Sequence, residues 1–165
     1  MESKVRYLWA ALRISMGWIF LWGFLDKLFG LGLSTAADKS WLAGGSPTAG
    51  FLGFATAGPL SGLYQGLAGN PVVDWLFMLG LLGLGLALIL GVGMRIAAYG
   101  GVLLMLLMWS ARLPPATNPV VDSHIIYALL LIALAVVRAG DTLGLGRWWT
   151  RWVQTRMPRS LRAIL

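Results

Sequence analysis

The chain has 165 residues, 58% of them hydrophobic and only 12% charged, with a mean hydropathy of +0.77 and a formal charge of +7. A soluble globular domain carries about 25% charged residues, so this chain is too apolar to keep its whole surface in water, and its long uncharged runs point to a bilayer. The absence of cysteine excludes disulfides, thiolate metal sites and thiol redox chemistry by this chain alone, and a nucleic-acid partner is not expected, because six of the thirteen basic residues lie between Arg138 and Arg162 beside the last apolar run.

A bilayer core of about 30 Å needs roughly 20 helical residues. Four runs approach that length, at about 7–33, 72–93, 96–111 and 121–137. Their length and their lack of period-two alternation predict helices rather than strands. The expected fold is all-α: a polytopic membrane protein built as a four-helix transmembrane bundle over residues 1–146.

Lys4 and Arg6 precede the first run, whose length and missing cleavage site predict a retained span rather than a signal peptide. At about 100° per residue, Arg13, Gly17, Phe20, Phe24 and Lys27 fall on or near one face, with Asp26 pointing elsewhere. Arg13 lies within snorkelling reach of the inner interface, or else is a buried functional cation. Asp26 and Lys27 mark the outer boundary. The Gly-, Ser- and Pro-rich loop 34–71 still carries Trp41, Phe51, Phe54, Leu60 and Tyr64, which predicts an apolar cap over the outer face.

Asp74 opens the second run and Asp122 the fourth, each at the end of the pentapeptide NPVVD, found at 70–74 and 118–122. The repeat predicts a helix-capping role for both carboxylates. In the second run Gly83, Ala87 and Gly91 recur every four residues, a spacing that lets helices approach closely. The third run is bounded by Arg95 and Arg112. His124, the only histidine, shares a face with Tyr127 and Ala128. It is predicted to diverge from Asp122 by about 200° and not to pair with it.

Lys4, Arg6, Arg95 and the basic residues after position 137 fall on one side, so both termini are expected to be cytoplasmic. In the tail, residues 147–165, Trp149, Trp152, Val153, Leu161 and Ile164 alternate with arginines. That pattern predicts a basic amphipathic helix lying on anionic lipid and bending at Pro158.

This topology gathers Asp26, Lys27, Asp74, Arg112, Asp122 and His124 at the outer helix ends, under the cap. A lone histidine without cysteine is poor material for a metal site, and none is expected. It suits proton transfer beside a quinone carbonyl or a small oxyanion. In the plainer alternative, the charges neutralise one another where helix ends meet headgroups.

"LRISMGWIFLWGFLDKL", "GLLGLGLALILGVGMRIAAYGG" and "VVDSHIIYALLLIALAVVRAGDTLGLGRWW" resemble the helices of the DoxX/DoxD family of small four-helix membrane proteins. The likeness covers most of residues 8–149. It rests on Arg13, Gly17, Gly23, Lys27, Asp122, His124, Tyr127, Gly140 and Gly144. That family includes the membrane subunit of thiosulfate:quinone oxidoreductase. The resemblance implies a quinone-linked oxidoreductase subunit acting on a small sulfur species such as thiosulfate, with quinone as electron acceptor.

In that reading His124, Asp122 and Lys27 are the catalytic candidates. Tyr127, Arg112, Asp26, Asp74 and Arg13 are candidates for binding substrate or quinone. The other reading is a non-catalytic accessory or assembly subunit of a larger membrane complex. Expected partners are membrane lipid and either further copies of the chain or a second membrane subunit. A transporter is less well matched, because no run is broken at its middle.

Overall fold

The computed structural model describes residues 3–116 and 118–158. The expectations for Arg159, Leu161, Arg162 and Ile164 lie outside the described residues. Among those described the chain is all-helical, with no strand. Helix α1 is Ser3–Phe29, α2 Ser61–Gln65, α3 Pro71–Leu90, α4 Met94–Ser110, α5 Ser123–Val136 and α6 Gly146–Arg156. Short turns of 3-10 helix at Ala37–Lys39 and Ala139–Asp141 and a π turn at Phe51–Ala55 complete it.

At 1.5 Å per residue, the 27 residues of α1 and the 20 of α3 span about 40 and 30 Å. Both are long and apolar enough to cross a bilayer. Helix α4 has 17 residues and α5 only 14, giving about 26 and 21 Å. The first run stops at Phe29 rather than 33 because Gly30 turns left-handed at φ +69°.

Helix α1 packs on α3, α3 on α4 and α4 on α5. One buried cluster runs through all four: Met16 and Phe20, Leu81, Leu84 and Leu88, Ala97 and Met105, then Ala128, Leu131 and Leu134. On α3 the buried positions Asp74, Met78, Leu81, Gly85 and Leu88 recur at three- and four-residue steps, the period of one helix face. The expected glycine stripe holds at one end only: a Cβ on Gly91 would lie 2.9 Å from Gly140 Cα, whereas one on Gly83 would meet nothing within 4 Å. Between α1 and α3 the contact glycines are Gly85, whose Cβ would lie 2.9 Å from Leu21 Cα, and Gly17, 2.9 Å from the Ile89 amide nitrogen. These two let α1 and α3 touch backbone to backbone.

The opposite faces are apolar as well. Leu76, Leu79, Leu103, Leu107, Ile126 and Leu129 are all exposed. A helix that is hydrophobic all round needs an apolar environment on its outer face too.

The helices have two ends. The loop end holds the C-termini of α1 and α4, the N-termini of α3 and α5, and the 30–70 segment. The tail end holds the α3–α4 turn and residues 138–156. At the loop end, Leu52 and Tyr64 bury against Ala111 of the α4 C-cap, with Phe51, Ala68 and Val73 packed around them. The Ala57 amide donates to Ala111 O at 2.9 Å, and the Tyr64 hydroxyl lies 2.6 Å from Ser110 Oγ. The expected cap therefore has a small core of its own, seated on α3 and α4.

Gly58 makes the closest contact of that seat, at φ +81°. A Cβ there would fall 1.7 Å from Leu113 O, so the backbones must separate. Gly58→Ala is expected to lower stability by about 2–4 kcal/mol, from left-handed strain plus overpacking. The sign to look for is faster proteolysis within 34–70. Gly62→Ala, in α2 where an added Cβ meets nothing, is the matched control.

Candidate functional site

Arg13 is fully buried and does not snorkel. Its Nη1 donates to Leu88 O and, at 2.8 Å, to Ile89 O. Its Nη2 donates to Leu143 O at 2.8 Å and Thr142 O at 3.3 Å. A helix leaves its last four carbonyls without intrahelical partners, and at the end of α3 all four are accounted for. Ala87 O takes the Gly91 and Val92 amides, Leu88 O and Ile89 O take Arg13, and Leu90 O takes the Leu145 amide at 2.8 Å.

No carboxylate pairs with Arg13 among the described residues. Carbonyl dipoles and the negative end of α3 solvate the cation instead. The chain fits around it only because glycines leave room. Cβ atoms on Gly91 and Gly144 would lie 3.0 Å from the two guanidinium nitrogens. Arg13 thus buckles α1 to α3 and to the 142–143 turn.

At the loop end the charged residues share a level but form separate knots. Asp26 is buried, not outward-facing, because the 30–42 segment folds back over α1. Its carboxylate accepts from the Leu33 amide at 3.3 Å, the Ser34 amide at 3.2 Å and Ser34 Oγ at 2.5 Å. The same segment caps the helix end: the Trp41 and Leu42 amides donate to Lys27 O and Leu28 O. Lys27 is half-buried, and its ammonium makes no hydrogen bond among the described residues.

Asp74 is not the cap of α3. Asn70 is, accepting from the Val72 amide at 2.9 Å with Pro71 in the first turn. Asp74 points instead into the cap segment. Its Oδ1 accepts from Ser46 Oγ at 2.9 Å, the Thr48 amide at 3.1 Å and Thr48 Oγ1 at 2.5 Å.

In the second NPVVD the helix starts four residues later relative to the motif. Asn118 accepts from the Val120 and Val121 amides, and Asp122 is the N-cap, taking the His124 amide at 2.9 Å and the Ile125 amide at 3.3 Å. This capping role is as expected; the expected divergence from His124 is not. His124 Nδ1 lies 2.7 Å from Asp122 Oδ2. The wheel argument fails because a cap residue has extended torsions, here φ −128° and ψ −171°, so its side chain swings back over the first turn.

Both side chains are 17% exposed. Burial works against the charged carboxylate, but the His124 ring and the Ile125 and His124 amides outweigh it and hold Asp122 below the ordinary carboxylate range. An ionised carboxylate only accepts, so the contact puts a hydrogen on Nδ1 and, in the neutral ring, leaves the lone pair on Nε2. Nε2 makes no hydrogen bond among the described residues. Tyr127 is three residues on, on the same face, half-buried against the shared core. Arg112 is exposed on the segment that meets Ala57.

No family model, curated protein or solved structure matches this chain. Among the described residues no three of His, Cys, Asp or Glu are grouped to hold a metal ion.

Proposed function

We propose that this chain is a four-helix membrane protein of the DoxX/DoxD kind, serving as the membrane subunit of a quinone-linked oxidoreductase for a small sulfur species. The observation that carries the reading is the 2.7 Å contact between His124 Nδ1 and Asp122 Oδ2 at the end of an apolar helix. It orients the imidazole and balances its charge when Nε2 takes up a proton.

Support for the membrane setting comes from the exposed apolar faces of α1, α3, α4 and α5 and from the charge asymmetry of the two ends. Lys4, Arg6, Arg95, Arg138, Arg147, Arg151 and Arg156 lie at the tail end, which in this reading faces the cytoplasm. Apolar turns flanking α4 and α5 then make up the missing depth.

Oxidative coupling of two thiosulfates through a new S–S bond releases two electrons. A quinone that accepts them also takes up two protons. His124 Nε2 and the Tyr127 hydroxyl, on one face of α5, are the groups that would hold and hand on those protons at the loop end. Lys27 and Arg112 are the loop-end cations left for the oxyanion, since Arg13 is spent on carbonyls.

A second reading is favoured by a specific observation: Arg13, Asp26 and Asp74 all hold the chain to itself. In that reading the chain is a non-catalytic subunit whose polar groups serve assembly. Native mass spectrometry of the gently solubilised protein separates the two. Quinone retained by the wild type and lost from His124→Ala is expected. A stoichiometric larger chain with no quinone would replace the first reading by the second.

A further inference from the structure

A cavity of about 280 Å3 opens at the loop end between the start of α3 and the cap segment. It lies apart from the His124–Asp122 pair, and of the residues that the oxidoreductase reading names only Asp74 lines it. Its walls are the rings of Trp41 and Trp75, whose centroids are 4.6 Å apart at 73°. Such an edge-on pair presents ring faces in two directions. Asp74 also lines the cavity, although the residue is only 6% exposed.

All three donors to that carboxylate, from Ser46 and Thr48, go to Oδ1. Oδ2 accepts no hydrogen bond and Asp74 has no cationic partner among the described residues. Oδ2 is open to the cavity and not sealed in the core, since Arg13 Nε is the one buried side-chain polar atom without a partner among the described residues, so it is the anionic atom that an entering cation would meet. Gly44 and Gly69 in the lining take φ +87° and +73°, conformations that favour glycine, and add no side chain to the wall.

The chemistry of the lining narrows the cation. A metal ion needs several oxygen or nitrogen ligands, and this cavity has one unused carboxylate oxygen. A primary ammonium presents three N–H donors, and the side chains of this wall answer them with Asp74 Oδ2 and the second lone pair of Ser46 Oγ, which gives its proton to Asp74 and already accepts the Ala49 amide, so at least one donor goes unmet by side chains. Two indole rings and one carboxylate oxygen along the same wall suit a cation whose charge is spread over methyl groups and which carries at most one N–H. We infer that the Trp41–Trp75–Asp74 cavity binds a methylated ammonium group, either a free solute or a lipid headgroup. At about 280 Å3 it is smaller than the usual pocket for a drug-sized ligand, which fits a group of that size.

Titration calorimetry of the full chain in dodecyl maltoside, which carries no ammonium, tests this with tetramethylammonium, choline and ammonium chlorides. Saturable binding of the first two is expected, with ammonium at least about tenfold weaker. Trp75 is 56% exposed, and Trp75→Leu removes its ring contact with Trp41 but none of the three hydrogen bonds by which Asp74 holds the cap segment. It is expected to weaken tetramethylammonium by about tenfold, equivalent to about 1.4 kcal/mol. Asp74→Asn should weaken it at least as much.

No saturable binding of tetramethylammonium to the wild type would overturn the inference, as would equal binding of ammonium or an unchanged Trp75→Leu. Nanodiscs identify the source. Phosphatidylcholine that displaces tetramethylammonium, where phosphatidylglycerol does not, assigns the site to a headgroup. Displacement by neither lipid assigns it to a free solute.

Discussion

Replacing Arg13 with methionine is expected to destabilise the protein by about 3–5 kcal/mol, although the new side chain is apolar and similar in length. The loss is not that of an ion pair, because Arg13 has no carboxylate partner among the described residues. It comes from the carbonyls of Leu88, Ile89, Thr142 and Leu143, which lose their donors in a buried place where water cannot replace them. Each buried polar group left unmet costs about 1–3 kcal/mol, and partial relaxation of the 142–143 turn keeps the total below the sum. Arg13→Lys should recover little, since one ammonium cannot reach carbonyls on two sides as the guanidinium fork does. Unfolding midpoints in detergent, compared across Arg13, Met and Lys, provide the measurement. Equal midpoints for Arg13 and Met would show that the clamp contributes nothing.

Turnover in a reconstituted quinone assay is expected to fall by about 10²–10⁴-fold in His124→Ala, the range for loss of a positioned acid–base group, with the unfolding midpoint little changed. Asp122→Asn is the sharper variant. Asparagine is as good an N-cap as aspartate, so α5 should start in the same place. Its side chain no longer carries the charge that balances an imidazolium, and its amide can turn a donor towards Nδ1, which would leave Nε2 holding the hydrogen. A large loss of turnover with helix α5 intact is expected. Unchanged turnover in both variants would remove the oxidoreductase reading and leave the accessory one.

The pH dependence has a definite sign. The folded protein holds Asp122 below its ordinary range, so its stabilising cap is fully present above the unfolded carboxylate value. That stability is lost as pH falls through the lower, folded value.

Much of the architecture was legible from composition and period alone. Length and hydropathy marked the four main helices, because burial in any apolar medium imposes a 3.6-residue repeat or a continuous apolar run. The face Arg13–Gly17–Phe20 on α1 followed from the same geometry, and so did the N-cap at Asp122, whose side chain bonds within its own turn. Local rules suffice where the partners are a few residues apart.

Tertiary structure decided the fate of Arg13, Asp26 and Asp74. Two copies of NPVVD share their Asn–Pro turn, with Asn70 and Asn118 each accepting an amide two residues on. One then enters the helix at Pro71 and the other at Ser123. In the first, Asp74 finds Ser46 and Thr48 some twenty-six residues earlier in the chain; in the second, Asp122 caps the helix and turns to His124. Arg13 and Asp26 likewise answer to carbonyls and amides that no helical wheel contains. A buried polar group must be satisfied by whatever the fold brings within about 3 Å, and that neighbour is a property of the packing, not of the spacing along the chain.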